Sequence, residues 1–135
     1  MDFPVMALEG LWWTETGAYD LAKPEGWKYR LMILQPGHIT AEMFAAALVQ
    51  LRKKKPGPAL ERLRLEEFEE GRCIQIMHIG PYSDEMRTIQ VMDEYAASHG
   101  LHMRGKHHEI YLGDPRKAKP ENMKTVVRHP VEGSG

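Results

Sequence analysis

The stretch Gly105-Lys106-His107-His108-Glu109-Ile110-Tyr111-Leu112 holds the chain's most suggestive set of chemistry-bearing side chains. In a strand, alternation puts His107, Glu109 and Tyr111 on one face and His108, Ile110 and Leu112 on the other. The second set reads as the core face, which leaves the Glu109 carboxylate between an imidazole and a phenol on a sheet surface. A carboxylate framed by aromatic rings attracts a cation, or acts as a base where partial burial raises its pKa. On spacing alone, an ordinary exposed strand residue is the simpler account of Glu109.

Trp12 and Trp13 are adjacent, so a strand sends one indole into the core and the other to the opposite surface. Trp13 shares its face with Glu9 and offers a wall for a planar ligand, although ordinary packing explains it equally well. Tyr82 follows Gly80-Pro81 at the mouth of a helix, where its hydroxyl is placed to orient a ligand or water, or to cap a core edge. His78 alternates with Ile74 and Ile76 and reads as a satisfied core or edge histidine.

Seven histidines raise the question of a metal. His99, His102, His107 and His108 span a helix end, a turn and a strand, and match neither HExxH nor a Cys/His zinc spacing. No metal and no cofactor are expected. There is no GxSxG, no phosphate-binding glycine loop and no dinucleotide fingerprint in the sequence. The single cysteine, Cys73, lies in an apolar run and reads as a buried inert thiol.

The elements that must position these residues follow from periodicity and breakers. Alternating runs at residues 5–14 and 27–34 predict two antiparallel strands, joined by a polar loop over 15–25. Thr40 caps a helix, AEMFAAALVQLRKKK, with Phe44, Ala47, Leu48 and Leu51 on one stripe and a cationic last turn. Residues 60–69 and 72–79 read as a hairpin, although the first arm has helical composition. Ser83 caps a second helix reaching His99, with Ile89, Met92 and Ala96 in line and Gly100 as its stop. Strands at 106–112 and 123–131 close the fold, and Glu132-Gly133-Ser134-Gly135 reads as a flexible tail.

The 135 residues suit one domain, residues 1–131, of α+β class. A net charge of −1, from 18 basic and 19 acidic residues, provides no domain-wide field for a nucleic-acid backbone. No leader pattern or membrane-length apolar run occurs, which makes the cytoplasm the expected location and a membrane partner unexpected.

EGLWW, WKYRLMILQP, IMHIGPY, GKHHEIYLGDPRK and KTVVRHPV, in that order, resemble the GyrI-like proteins, closest to their stand-alone bacterial branch. The resemblance implies a curved antiparallel sheet built from two pseudo-twofold strand–helix–strand–strand units, with two main helices and a ligand cleft between the halves. The first strand and helix of that pattern are missing before Asp2, and the segment after GPY lacks a proline that the branch carries. An incomplete first unit leaves an open edge and an exposed core face, which favours strand addition from a second copy, as a homodimer, or aggregation. By resemblance to the effector-binding domains of multidrug-responsive regulators, Glu109 takes the place of an acidic cleft residue. Trp12, Trp13, Tyr82, His107 and Tyr111 then surround it.

The resemblance implies binding of hydrophobic or cationic aromatic small molecules as the leading function. The alternative is a hydrolase that adds water to cyclopropane-bearing DNA-alkylating natural products, with Glu109 and Tyr82 as the catalytic pair. A protein-interaction module such as gyrase binding comes third. Direct nucleic-acid binding is not expected from the charge balance, and direct transcription regulation is disfavoured, since no helix–turn–helix candidate precedes the domain.

Overall fold

Period-two runs of aromatic and β-branched residues become strands wherever a partner can pair with both their edges and their faces. A computed structural model describes residues 4–14, 26–114 and 116–133. In chain order it contains β1 (Leu8–Thr14), β2 (Trp27–Ile33), α1 (Ala41–Lys54), β3 (Cys73–Ile79), α2 (Glu85–Ser98), β4 (Leu101–Met103), β5 (His107–Tyr111) and β6 (Lys124–Gly133). Short 3-10 turns occupy Pro58–Arg62, Tyr82–Asp84 and Pro120–Asn122. Contacts divide the chain into two compact units, one comprising residues up to 34 and from 70 onward, the other residues 35–69.

The first unit is an α+β sheet of six antiparallel strands in the order β2-β1-β5-β6-β3, with β4 added to the far end of β6. Helix α2 supplies its core. Ile89 and Met92 pack with Val127, while Ala96 packs with Leu101 and Val131, and Ile74, Ile76 and Met103 join from the sheet. The spacing of Ile89, Met92 and Ala96 aligns them on one helical stripe, as the sequence requires. Each fully buried Ile, Leu, Met or Val side chain among them contributes roughly 1.5–3 kcal/mol. Gly100, at φ +67°, ends the helix in the left-handed conformation expected of it.

In the second unit the Thr40 hydroxyl accepts the Met43 amide at 3.1 Å and caps α1, as expected. The stripe on α1 is shallower than its spacing suggests. Phe44 and Leu48 are half-buried, whereas Ala47 and Leu51 are exposed.

Several expectations are corrected. The arm at 60–69 is not a strand: Pro58 opens a 3-10 turn, and the Glu- and Arg-rich residues beyond it stay exposed, with no face to bury. The 72–79 run therefore pairs with β6 instead of forming that hairpin. Ser83 does not cap α2. It lies inside the 3-10 turn, and Asp84 is the cap residue, with no side-chain cap bond. Glu132 and Gly133 are not tail residues, because β6 continues through them to pair with His102 and Leu101. Strand β4 is three residues long, too short for a periodicity to register. The expected loop at 15–25 and the last two residues lie outside the described part.

Candidate functional site

Strand register decides which residues meet. Glu109 on β5 pairs with Gly10 on β1 and with Val127 on β6, so it lies on the face that α2 packs against. This overturns the expectation that His108, Ile110 and Leu112 mark the core face. The sheet is helix-backed on its β6–β3 side, and Glu109 sits where that cover ends.

Its partner is a residue the sequence reading passed over. Glu85, the first residue of α2, is buried together with His107 and Glu109. Donor atoms from the three lie within 4.8 Å of one another. His107 donates its Nε2–H to Glu109 Oε2 at 2.6 Å, and the same nitrogen is 3.6 Å from Glu85 Oε1. That Glu85 oxygen is buried without a hydrogen-bond partner among the described residues. Acidic residues in a first helical turn ordinarily face solvent, so only the packing of α2 makes Glu85 conspicuous. The strand-to-helix junction fixes its position. Gly80 N–H donates to Met123 O at 2.8 Å, and the buried His78 ring lies 2.9 Å from Pro81 O and 2.6 Å from Thr88 Oγ1.

The electrostatics divide the two carboxyls. Burial pushes Glu109 upward, but hydrogen bonds from His107, Glu85 and Tyr111 outweigh it and hold the carboxyl below its ordinary value. Burial drives Glu85 up to about 7, reinforced by Glu109 and opposed by His107. His107 is lowered by burial but raised more by the two carboxylates, for a net increase. His129, whose ring centroid lies 6.1 Å from that of His107, is driven down to about 4 by burial and by His107.

His107 Nε2 would bind a metal only after losing the proton it shares with Glu109. Three donors fall short of the four that close a structural zinc site, although they equal the protein ligands of an open catalytic one. The arrangement fits shared protons, and we assign no metal ligand.

Aromatic side chains frame the cluster. Trp12 Nε1–H donates to Tyr111 Oη at 2.9 Å, so donors run from indole to phenol to Glu109. Gly10 makes this contact possible, because a Cβ there would lie 2.8 Å from Trp12 Nε1 and 3.2 Å from Tyr111 Oη. Tyr82 meets Tyr111 edge to face, with centroids 6.1 Å apart. Burial and the negative charge of Glu109 raise both phenols, which therefore keep their protons as donors. Trp12 also lies against Tyr29, at 5.2 Å. Leu8, Tyr29, Leu31 and Ile33 continue this face across β1 and β2, and all four are exposed. None of those four belongs to the expected set, although alternation in 27–34 already aligns Tyr29, Leu31 and Ile33.

Trp13 is not in this site. It projects from the opposite face, where the Lys106 ammonium sits 3.9 Å above its ring. His108 also points there, 2.7 Å from Glu9 and 2.9 Å from Glu70. Cys73 is half-buried, and burial followed by the charge of Glu70 raises its thiol, consistent with an unreactive residue. A hollow of about 300 Å³ between β3 and α2, lined by Ile74, Ile76, Met92 and Tyr95 among others, lacks any comparable set of charged groups.

Among the described residues no helix is long and apolar enough to cross a membrane. A family model for the GyrI-like small molecule binding domain matches residues 10–132. The crystal structure of an uncharacterized conserved protein from Listeria innocua is 45% identical, with TM-score 0.91, and the match covers 98% of this chain and 66% of that one. That of a hydrolase from the same organism is 40% identical, with TM-score 0.83 and coverages of 98% and 65%. A further Listeria innocua hydrolase is 44% identical, with TM-score 0.87 and coverages of 97% and 65%. The chain thus spans just under two thirds of the length of these structures. No curated protein matches it.

Proposed function

This chain belongs to the GyrI-like small-molecule-binding domain family, and from that premise we propose that it captures hydrophobic or cationic aromatic compounds over Glu109. One observation carries the reading. A buried carboxylate is held ionised at the edge of the helix cover, with Trp12, Tyr82 and Tyr111 beside it. The open apolar strip of Leu8, Tyr29, Leu31 and Ile33 suits the flat body of such a ligand. A desolvated carboxylate supplies the attraction for its cationic end. The test is calorimetric titration with a planar cationic dye and its neutral isostere. Preference for the cation that disappears in Glu109→Gln supports the reading, and equal affinity for both in the unmodified protein rejects it.

A second reading is a hydrolase of cyclopropane-bearing DNA-alkylating compounds. It is favoured by the second carboxyl at Glu85 and by the two similar structures described as hydrolases. In this reading Glu109 takes a proton from water as the water oxygen attacks a cyclopropane carbon; the ring C–C bond breaks and its electron pair passes into the conjugated carbonyl, which is then protonated. Tyr82, which keeps its proton, donates a hydrogen bond to the ligand carbonyl. Mass spectrometry of such a compound after incubation decides it, the product being a water adduct above the buffer control. We further propose a cytoplasmic protein whose β2 edge accepts a strand from a second copy, tested by light scattering. Nucleic acid is not among the proposed partners, because the net charge of −1 offers no counter-field to phosphate.

A further inference from the structure

Two buried carboxyls and one imidazole cannot all be charged and balanced, since one imidazolium neutralises one carboxylate. We infer that Glu85 is a positioning residue for Glu109: a neutral carboxylic acid that donates its proton in a hydrogen bond to the Glu109 carboxylate and holds it in place. The inference deepens the small-molecule reading and rests on it for its consequence, not for its observation.

Geometry assigns the proton. His107 Nε2 is 2.6 Å from Glu109 and 3.6 Å from Glu85, so the imidazolium serves Glu109 first. Glu85 is left with an oxygen that receives no donor, on a residue only 5% exposed. A bare anion there would bear the full cost of desolvation, whereas a carboxylic acid would not. The three groups cluster within 4.8 Å, and the hydrogen bond that Glu85 and Glu109 share makes Glu109 the acceptor for a proton on Glu85.

Among the described residues the other ionisable neighbours do not replace it. Tyr82 and Tyr111 keep their protons, His129 is held neutral by burial and by His107, and burial raises Asp93. Burial likewise favours the neutral form of Glu85 up to about neutrality.

Two consequences follow for the site. Glu109 is held anionic by donors from three directions, namely His107, Glu85 and Tyr111. The cluster of Glu85, His107 and Glu109 is also neutral overall while Glu85 keeps its proton and gains one net negative charge when that proton leaves. A cationic ligand is therefore held more tightly above neutral pH than below it.

Infrared spectroscopy of the ligand-free protein tests the proton directly. The expected result is a protonated-carboxyl band at pH 6 that titrates away near neutrality. It should be absent from Glu85→Gln and present in Glu109→Gln with a lower midpoint. No such band at pH 6, or a band unchanged in Glu85→Gln, overturns the inference. Should Glu85→Gln fold poorly, Glu85→Asp serves instead, because its shorter arm retreats from Glu109 and the midpoint should fall; an unmoved midpoint again refutes the assignment.

The ligand arm uses the same planar cationic dye. Its affinity should rise roughly tenfold from pH 6 to pH 8 in the unmodified protein and stay flat in Glu85→Gln. A flat profile in both overturns the consequence. If the dye fails to bind at any pH, the small-molecule reading fails while the infrared result still stands or falls alone.

Discussion

His107 and His108 are neighbours in one strand, both buried and both within reach of two carboxylates, yet the two environments differ in kind. Both ring nitrogens of His108 are engaged, Nε2 by Glu9 at 2.7 Å and Nδ1 by Glu70 at 2.9 Å, and Arg128 lies 3.7 Å from Glu70. On the other face His107 bonds Glu109 closely and Glu85 distantly, leaving one carboxyl oxygen without a donor beside a set of phenols and an indole. The first cluster closes on itself and ties β1, β5 and the segment at Glu70 together. The second keeps chemical capacity in reserve. The same residue types thus form a clamp on one face of the sheet and a candidate site on the other, and what separates them is how completely the polar groups are satisfied.

That contrast can be broken at either end. His108→Ala strands Glu9 and Glu70 together, and should cost about 3 kcal/mol in urea unfolding while leaving ligand preference in the folded fraction intact. The pH dependence of stability reports on Glu85. Its folded pKa, about 7, lies above the ordinary 4.5, so its contribution is complete below about pH 4.5 and lost as pH rises through 7. The decline amounts to something on the order of 3 kcal/mol, and Glu85→Gln should flatten that part of the curve. His107, also raised, adds loss in the same direction, whereas Glu109, lowered, contributes stability that disappears on the acid side.

Smaller changes sharpen the comparison. Glu109→Gln should weaken a cationic dye by about 2 kcal/mol, roughly 30-fold, and its neutral isostere hardly at all by calorimetry. Trp12→Phe removes the donor to Tyr111 and should cost about 1 kcal/mol of stability in thermal unfolding. Trp13→Leu removes the Lys106 contact and should cost ~0.5 kcal/mol of stability through it, with ligand affinity unmoved.

The sequence reveals much of this architecture because most elements bear local signatures. Strands β1, β2, β3, β5 and β6, the Thr40 cap, the apolar line on α2 and its Gly100 stop are all legible in alternation, helical spacing or turn chemistry. The shared face of His107, Glu109 and Tyr111 follows from alternation as well. Two things do not. Which face is the core depends on where α2 lands, and no local pattern in the strand encodes that. Glu85 is 24 positions from Glu109 and reads as an ordinary acidic first-turn residue until the helix is docked. Trp12 and Trp13 show the same limit, since adjacency says they face opposite ways without saying which joins Glu109.

The most direct test of the central claim is to map a planar cationic dye onto the two faces by NMR. The account predicts that shifts concentrate at the Trp12 indole N–H and at the amides around Glu85, Glu109 and Tyr111, with the Trp13 indole and Lys106 left in place. Shifts centred on Trp13, Lys106 and His108 would put the ligand on the wrong face and contradict it.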